Sequence, residues 1–148
     1  SYLPSDMNAA YLYAQLEAAD SINEKRHAIY DFYHANLKEL EDLGYIERPF
    51  VPDYAEHNAH MYYLKVQDET VRRALIQNLK EQGILSVFHY VPLHTSPAGR
   101  KYGRFCGEDI HTTRESERLM RLPMFYNLSM DEAAVVVEAI RNFFKVNG

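Results

Sequence analysis

The chain has no tryptophan, one cysteine, and only six glycines and six prolines among its 148 residues. Cys106 alone cannot close an internal disulfide, so the fold must rest on burial and hydrogen bonding, as suits a reducing compartment; a cytoplasmic setting is expected. No segment approaches the roughly 20 consecutive apolar residues that span a bilayer, which argues against membrane insertion. There is no basic stripe either. The net charge is -5, and the pairs Lys25-Arg26, Arg72-Arg73 and Arg100-Lys101 are interleaved with acids, so a nucleic-acid footprint is excluded. A glycine-rich phosphate loop, an HExxH helix and a calcium loop are all missing. No secretory leader is visible, yet the chain opens on Ser1-Tyr2-Leu3-Pro4 without a methionine, as a piece cut from a longer protein would.

What is present points to one core. An apolar content of 47% in 148 residues fills a single unit, residues 1–148, and is too little for two ordinary domains. The 12 tyrosines supply apolar bodies with polar tips, suited to core edges, interfaces and sugar-binding walls alike.

Ser5 or Asp6 can cap a helix through Met7, Ala10, Tyr11, Ala14 and Leu16. Helical spacing continues over Ile22, Ile29, Phe32, Tyr33, Leu37 and Leu40 to Gly44, with a break predicted near Asp20-Ser21. Tyr45 to Asn58 reads as a short strand and an exposed turn. His60 to Val66 reads as a strand, Thr70 to Gln82 as a helix ended by Gly83, and Ile84 to His89 as the next strand. Thr95 to Gly107 reads as a surface loop. A short helix over Arg114 to Met120 precedes Leu122-Pro123-Met124-Phe125. The last helix starts at Ser129, which forms a capping box with Glu132. The predicted class is α+β: a small, mainly antiparallel sheet packed against helices.

The segment Val87-Phe88-His89-Tyr90-Val91-Pro92-Leu93-His94 stands out because an apolar strand breaks into two imidazoles and a phenol before a proline. Such groups favour water or a hydrogen-bond partner over a sealed core, so this is the rim of a binding site or a turn with backbone-bonded histidines. His60 can join His89 and His94 if the strands pair, but three histidines without a cysteine pair or tight spacing make a poor zinc set, and no metal is expected. Lys25, four residues after Ser21, lies beside Glu24 and Arg26; a charged helix face does not desolvate an amine for Schiff-base chemistry.

Several stretches, read in order, carry a resemblance. They are Ser5-Asp6-Met7-Asn8-Ala9-Ala10 with Gln15-Leu16, Asn58-Ala59-His60-Met61-Tyr62-Tyr63, Gly83-Ile84 leading to His89-Tyr90-Val91-Pro92-Leu93-His94, and Glu117-Arg118-Leu119 with Leu122-Pro123-Met124-Phe125. Together they resemble the C-terminal third of the DegT/StrS-type nucleotide-sugar aminotransferases, pyridoxal-phosphate-dependent enzymes of the aspartate aminotransferase fold. The resemblance implies amino transfer from glutamate to the C4 ketone of a dTDP-linked 4-keto-6-deoxy sugar. It implies that the cofactor lysine and phosphate cup lie in a large N-terminal domain outside this chain. The chain alone is then expected to be inactive, to bind no cofactor, and to belong to a homodimer. By position His89, Tyr90 and His94 match the family's HYxPLH element and face substrate, with Asn58 and His60 in support. Ser1 stands where many relatives carry a cofactor-contacting Asn, and Leu3 where they carry Arg. Apolar surface along Met7, Tyr11 and Leu16 is expected to lie open. The alternative is a non-catalytic interaction or dimerisation module sharing the fold.

Overall fold

The computed structural model describes residues 2–146. Ser5 caps the first helix, α1 (Asp6–Glu17), its Oγ accepting from the Asn8 N–H at 3.3 Å. The break falls at Ala18, slightly before the predicted site, and α2 (Ala19–Asn36) follows. A short α3 (Lys38–Asp42) ends the helical run, and Gly44, at φ +79°, takes the left-handed turn that a Cβ would disfavour. No residue of α1 is buried, whereas α2 sinks Ile29, Tyr30 and Tyr33.

After an irregular stretch come β1 (Tyr63–Lys65), α4 (Glu69–Glu81), β2 (Val87–Phe88), α5 (Pro97–Tyr102), α6 (Thr112–Arg118), β3 (Leu119–Arg121) and α7 (Met130–Val146). Strand order is β1-β3-β2, with both outer strands antiparallel to β3, so β1 and β2 run parallel to each other and β3 fills the gap. The predicted class is what the structure shows: a small antiparallel sheet with helices packed on it.

Several local readings need correction. β3 lies where the sequence reads as the end of a helix and its exit. Leu, Met and Arg are good helix formers, but β1 and β2 present unpaired backbone groups that only an extended segment can satisfy. The strand expected over 60–66 keeps three residues, and that over 84–89 keeps two. Of the strand expected after Tyr45 there remains one bridge, Glu47 to Lys65. The surface loop contains a 3-10 turn over Leu93–Thr95 and then α5, started by Ser96 as cap with Pro97 at the first turn.

Alternation along the strands gives the sheet two unlike faces. Leu64 and Met120 oppose each other in the register and are fully buried toward α2, α4 and α7. Tyr63, Arg121 and Val87 share the other face, where Tyr63 and Arg121 are half-buried and Val87 is exposed. In the core, Tyr33 donates its hydroxyl to the Pro123 carbonyl at 2.9 Å, so its polar tip is satisfied. α7 packs on α2 and α4 through Val136, Val137, Ile140 and Phe144. The Ser129–Glu132 capping box forms as read: the Glu132 N–H donates to Ser129 Oγ at 3.2 Å and the Ser129 N–H to Glu132 at 2.8 Å.

Candidate functional site

Residues 57–60 enter β1 through a turn that the local sequence does not favour. Ala59 is buried with φ +47°, a conformation costing a non-glycine residue on the order of 1 kcal/mol or more. The turn is held from several sides. Arg26 of α2 donates through Nε to the Ala59 carbonyl (3.3 Å) and through Nη2 to that of His60 (2.5 Å). His57 Nδ1 accepts from the Ala59 N–H at 3.3 Å. Asn58 Oδ1 accepts from the His60 N–H at 3.3 Å and lies 3.1 Å from His60 Nδ1. The Asn58 amide therefore orients the His60 ring, and the ring stays exposed.

His89 follows directly on β2. Burial first, then the Arg121 guanidinium and the His60 ring, lowers its pKa from the ordinary imidazole value. A neutral ring at pH 7 follows. His89 and Tyr90 meet ring to ring, centroids 4.3 Å apart and edge-on. Tyr90 is 72% exposed and lines a cleft of about 780 Å³ between α4, the 88–95 segment, α5 and α6. Arg72 supports that cleft: it is buried, donates to the Ser116 carbonyl at 2.8 Å, lies 3.4 Å from Glu69 and sits 5.6 Å over the Phe88 ring. Ser116 in turn donates its hydroxyl to the Tyr90 carbonyl.

His94 is engaged differently. Its Nε2 lies 2.6 Å from Asp109 Oδ2, and Thr113 donates its hydroxyl to the same carboxylate oxygen and its N–H to Oδ1 at 3.1 Å. Those Thr113 bonds, with a further contribution from His94, hold the Asp109 carboxyl down at about 2. The imidazole also lies 4.4 Å from the Phe105 ring. This arrangement ties the 103–111 loop to the 93–95 turn. The structure thus pairs Asn58 with His60 and His89 with Tyr90, and gives His94 a fastening contact. Ser1 lies outside the described residues.

Three arginines go unnoticed in a sequence reading. Arg26 is a charged-helix residue until the turn it clamps exists, and Arg72 sits mid-helix. Arg121 is concealed by the helical look of Leu119-Met120; read as a strand, the alternation would have set it opposite Met120, away from the core. Among the described residues no cluster of three His, Cys, Asp or Glu is placed to hold a metal ion, and no helix is long and apolar enough to cross a membrane.

Residues 3–141 match the sequence profile of the DegT/DnrJ/EryC1/StrS aminotransferase family. The chain belongs to this family. The spore coat polysaccharide biosynthesis protein SpsC of Bacillus subtilis is 28% identical over 95% of this chain and 36% of its own length. The crystal structure of S. venezuelae DesV in complex with a ketimine intermediate superposes with a TM-score of 0.79 at 27% identity, covering 93% of this chain and 36% of DesV. NtdA from Bacillus subtilis, solved with bound cofactor PMP, superposes with a TM-score of 0.70 at 26% identity, covering 83% of this chain and 28% of NtdA. The chain thus spans about a third of the length of the relatives it matches. No lysine lines the Tyr90 cleft; Lys65 pairs with Glu115 at 2.7 Å, Lys38 with Asp42 at 2.6 Å, and Lys101 lies over the Tyr102 ring.

Proposed function

We propose that residues 1–148 form the C-terminal domain of a pyridoxal-phosphate-dependent nucleotide-sugar aminotransferase, with the cofactor-binding domain elsewhere in the protein. The substrates are glutamate and a dTDP-4-keto-6-deoxy sugar, whose C4 ketone becomes an amine as glutamate becomes 2-oxoglutarate. Within the family, Ser1-Tyr2-Leu3-Pro4-Ser5-Asp6 and the stretch from Phe88 to Gly99 resemble the dTDP-4-amino-4,6-dideoxygalactose transaminase of enterobacterial common antigen synthesis, and that resemblance supports this choice of substrate. The carrying observation is the match of residues 3–141 to this family, in a chain whose His60 and Tyr90 are exposed and whose His89 meets Tyr90 ring to ring. The cofactor supplies the electron sink for exchanging amine and carbonyl. The chain's own residues bind and orient. Tyr90 offers a hydroxyl on a rigid ring to a sugar hydroxyl, His89 a neutral imidazole, and Asn58 keeps His60 turned toward the same surface. Ser1 is assigned to cofactor contact by its position alone.

The experiment supplies the full-length protein with pyridoxal phosphate, glutamate and dTDP-4-keto-6-deoxyglucose. An amino-sugar nucleotide and 2-oxoglutarate are expected in equal amounts; absence of product would end this reading.

A homodimer belongs to the same proposal. Met7, Tyr11 and Leu16 on α1 are 82%, 72% and 63% exposed, more apolar surface than one helix of a monomer usually offers to water. Sedimentation of the full-length protein is expected to give twice the chain mass at micromolar concentration. A single-chain mass at high concentration counts against it.

A further inference from the structure

The ladder between β2 and β3 stops at Phe88, so two residues later the Tyr90 carbonyl lies beyond the strand pairing. A side chain holds it instead: Ser116 of α6 donates its hydroxyl to that carbonyl. Ser116 is itself held. Its own carbonyl accepts from Arg72 Nη1 of α4 at 2.8 Å, and the buried Arg72 places its guanidinium 5.6 Å over the Phe88 ring. Contacts thus run from α4 through α6 to the main chain of Tyr90.

α6 holds the other end of the HYxPLH segment as well. Thr113 lies three positions before Ser116, hence on the same helix face. Its hydroxyl and N–H bind Asp109, whose Oδ2 lies 2.6 Å from His94 Nε2. The helix is tied to the sheet by other side chains: Glu115 pairs with Lys65 of β1 at 2.7 Å, and Arg118 donates to the Val66 carbonyl at 2.7 Å. Tyr90 depends on such a hold, because its ring is largely exposed and meets only the edge of His89 among the aromatic rings. With little packing to restrain it, the direction of the phenol follows from the backbone that carries it.

We propose that Ser116 is a positioning residue for Tyr90: its hydroxyl fixes the Tyr90 carbonyl, and with it the point at which the phenol meets the sugar. The proposal rests on the aminotransferase reading for the identity of that sugar. It assigns the effect to the hydroxyl of residue 116 and not to its bulk.

The test measures the two half-reactions of the full-length holoenzyme separately. Ser116→Ala is expected to raise KM for the nucleotide sugar about 3- to 10-fold, the worth of one hydrogen bond, with little change in kcat and none in the glutamate half-reaction. Alanine is a better helix former than serine, so the fold is kept. Ser116→Thr retains the hydroxyl and should restore the wild-type KM. In a Tyr90→Phe background, Ser116→Ala should add less than about 2-fold, because the group it positions is already gone. Ser21→Ala removes a helix serine that bonds the Ala18 carbonyl at 2.9 Å and does not line the cleft, and it should behave as wild type.

A readout without turnover comes from isotope labelling of tyrosine carbonyl carbons and valine nitrogens, which singles out Tyr90–Val91, the one Tyr-Val pair in the 148 residues. Its magnetic resonance signal should move in Ser116→Ala and stay in Ser116→Thr. An unchanged KM in Ser116→Ala overturns the proposal. So do equal losses in both half-reactions, a threonine variant no better than alanine, or a full additional loss in the Tyr90→Phe background. A signal that moves in Ser116→Ala while the wild type makes no amino-sugar product would uphold the hold of Ser116 on Tyr90 and refute the transaminase reading.

Discussion

Replacing Met120 by alanine is expected to destabilise the protein by about 2–5 kcal/mol, a large share of what holds a domain of this size together. Met120 lies on the middle strand and is fully buried, opposite Leu64 on one side and Phe88 on the other. Truncation removes its apolar surface from the place where sheet and helices meet, and the flanking strands cannot close in without breaking the β3 ladder. The urea midpoint should fall with an unchanged slope. Val87→Ala, on the half-open opposite face, is expected to cost less than about 1 kcal/mol. Similar losses at both positions would mean that the two faces are not as unlike as the burial shows.

Gly99→Ala is the second large effect, and it is local. A Cβ on Gly99 would sit 1.7 Å from the Leu93 carbonyl oxygen and 2.7 Å from its carbon, both backbone atoms, with Ser96 Oγ at 3.0 Å. No rotamer can relieve contact with a main chain, so the 3-10 turn and the start of α5 must part, at a cost of roughly 1–3 kcal/mol. His94 lies in that turn, and its hold on Asp109 should loosen with it. Amide hydrogen exchange is expected to rise over 93–103 while the core helices stay protected, and the His94 imidazole signals should shift. Wild-type exchange throughout the segment would show that the close approach is dispensable. Under the proposed function, the same variant should reduce activity through a misplaced HYxPLH segment.

The readings that succeed share a short range. Ser5 with Asn8, Ser129 with Glu132, and the glycines at 44 and 83 each act within about one turn of helix, so residue types at fixed offsets suffice to find them. The HYxPLH segment stands out without coordinates as histidines and a phenol at the end of an apolar run, and its role stays a proposal. The failures involve partners far apart in the chain. β3 looks helical until β1 and β2 stand on either side of it. Arg26 has no evident task until residues 59 and 60, more than 30 positions away, turn toward it.

Residue order alone thus settles the caps and glycine stops of the main helices and that no internal disulfide braces the fold. Assembly settles the rest: that Leu119–Arg121 is extended, that Ala59 accepts a left-handed backbone, that His94 is tied to Asp109, and that Arg26 clamps the turn before β1. The division is physical. A capping bond forms between neighbours and is encoded beside the helix it ends, whereas a strand ladder or a clamp such as Arg26 on residues 59 and 60 exists only after distant segments have met and given up their chain entropy to do so.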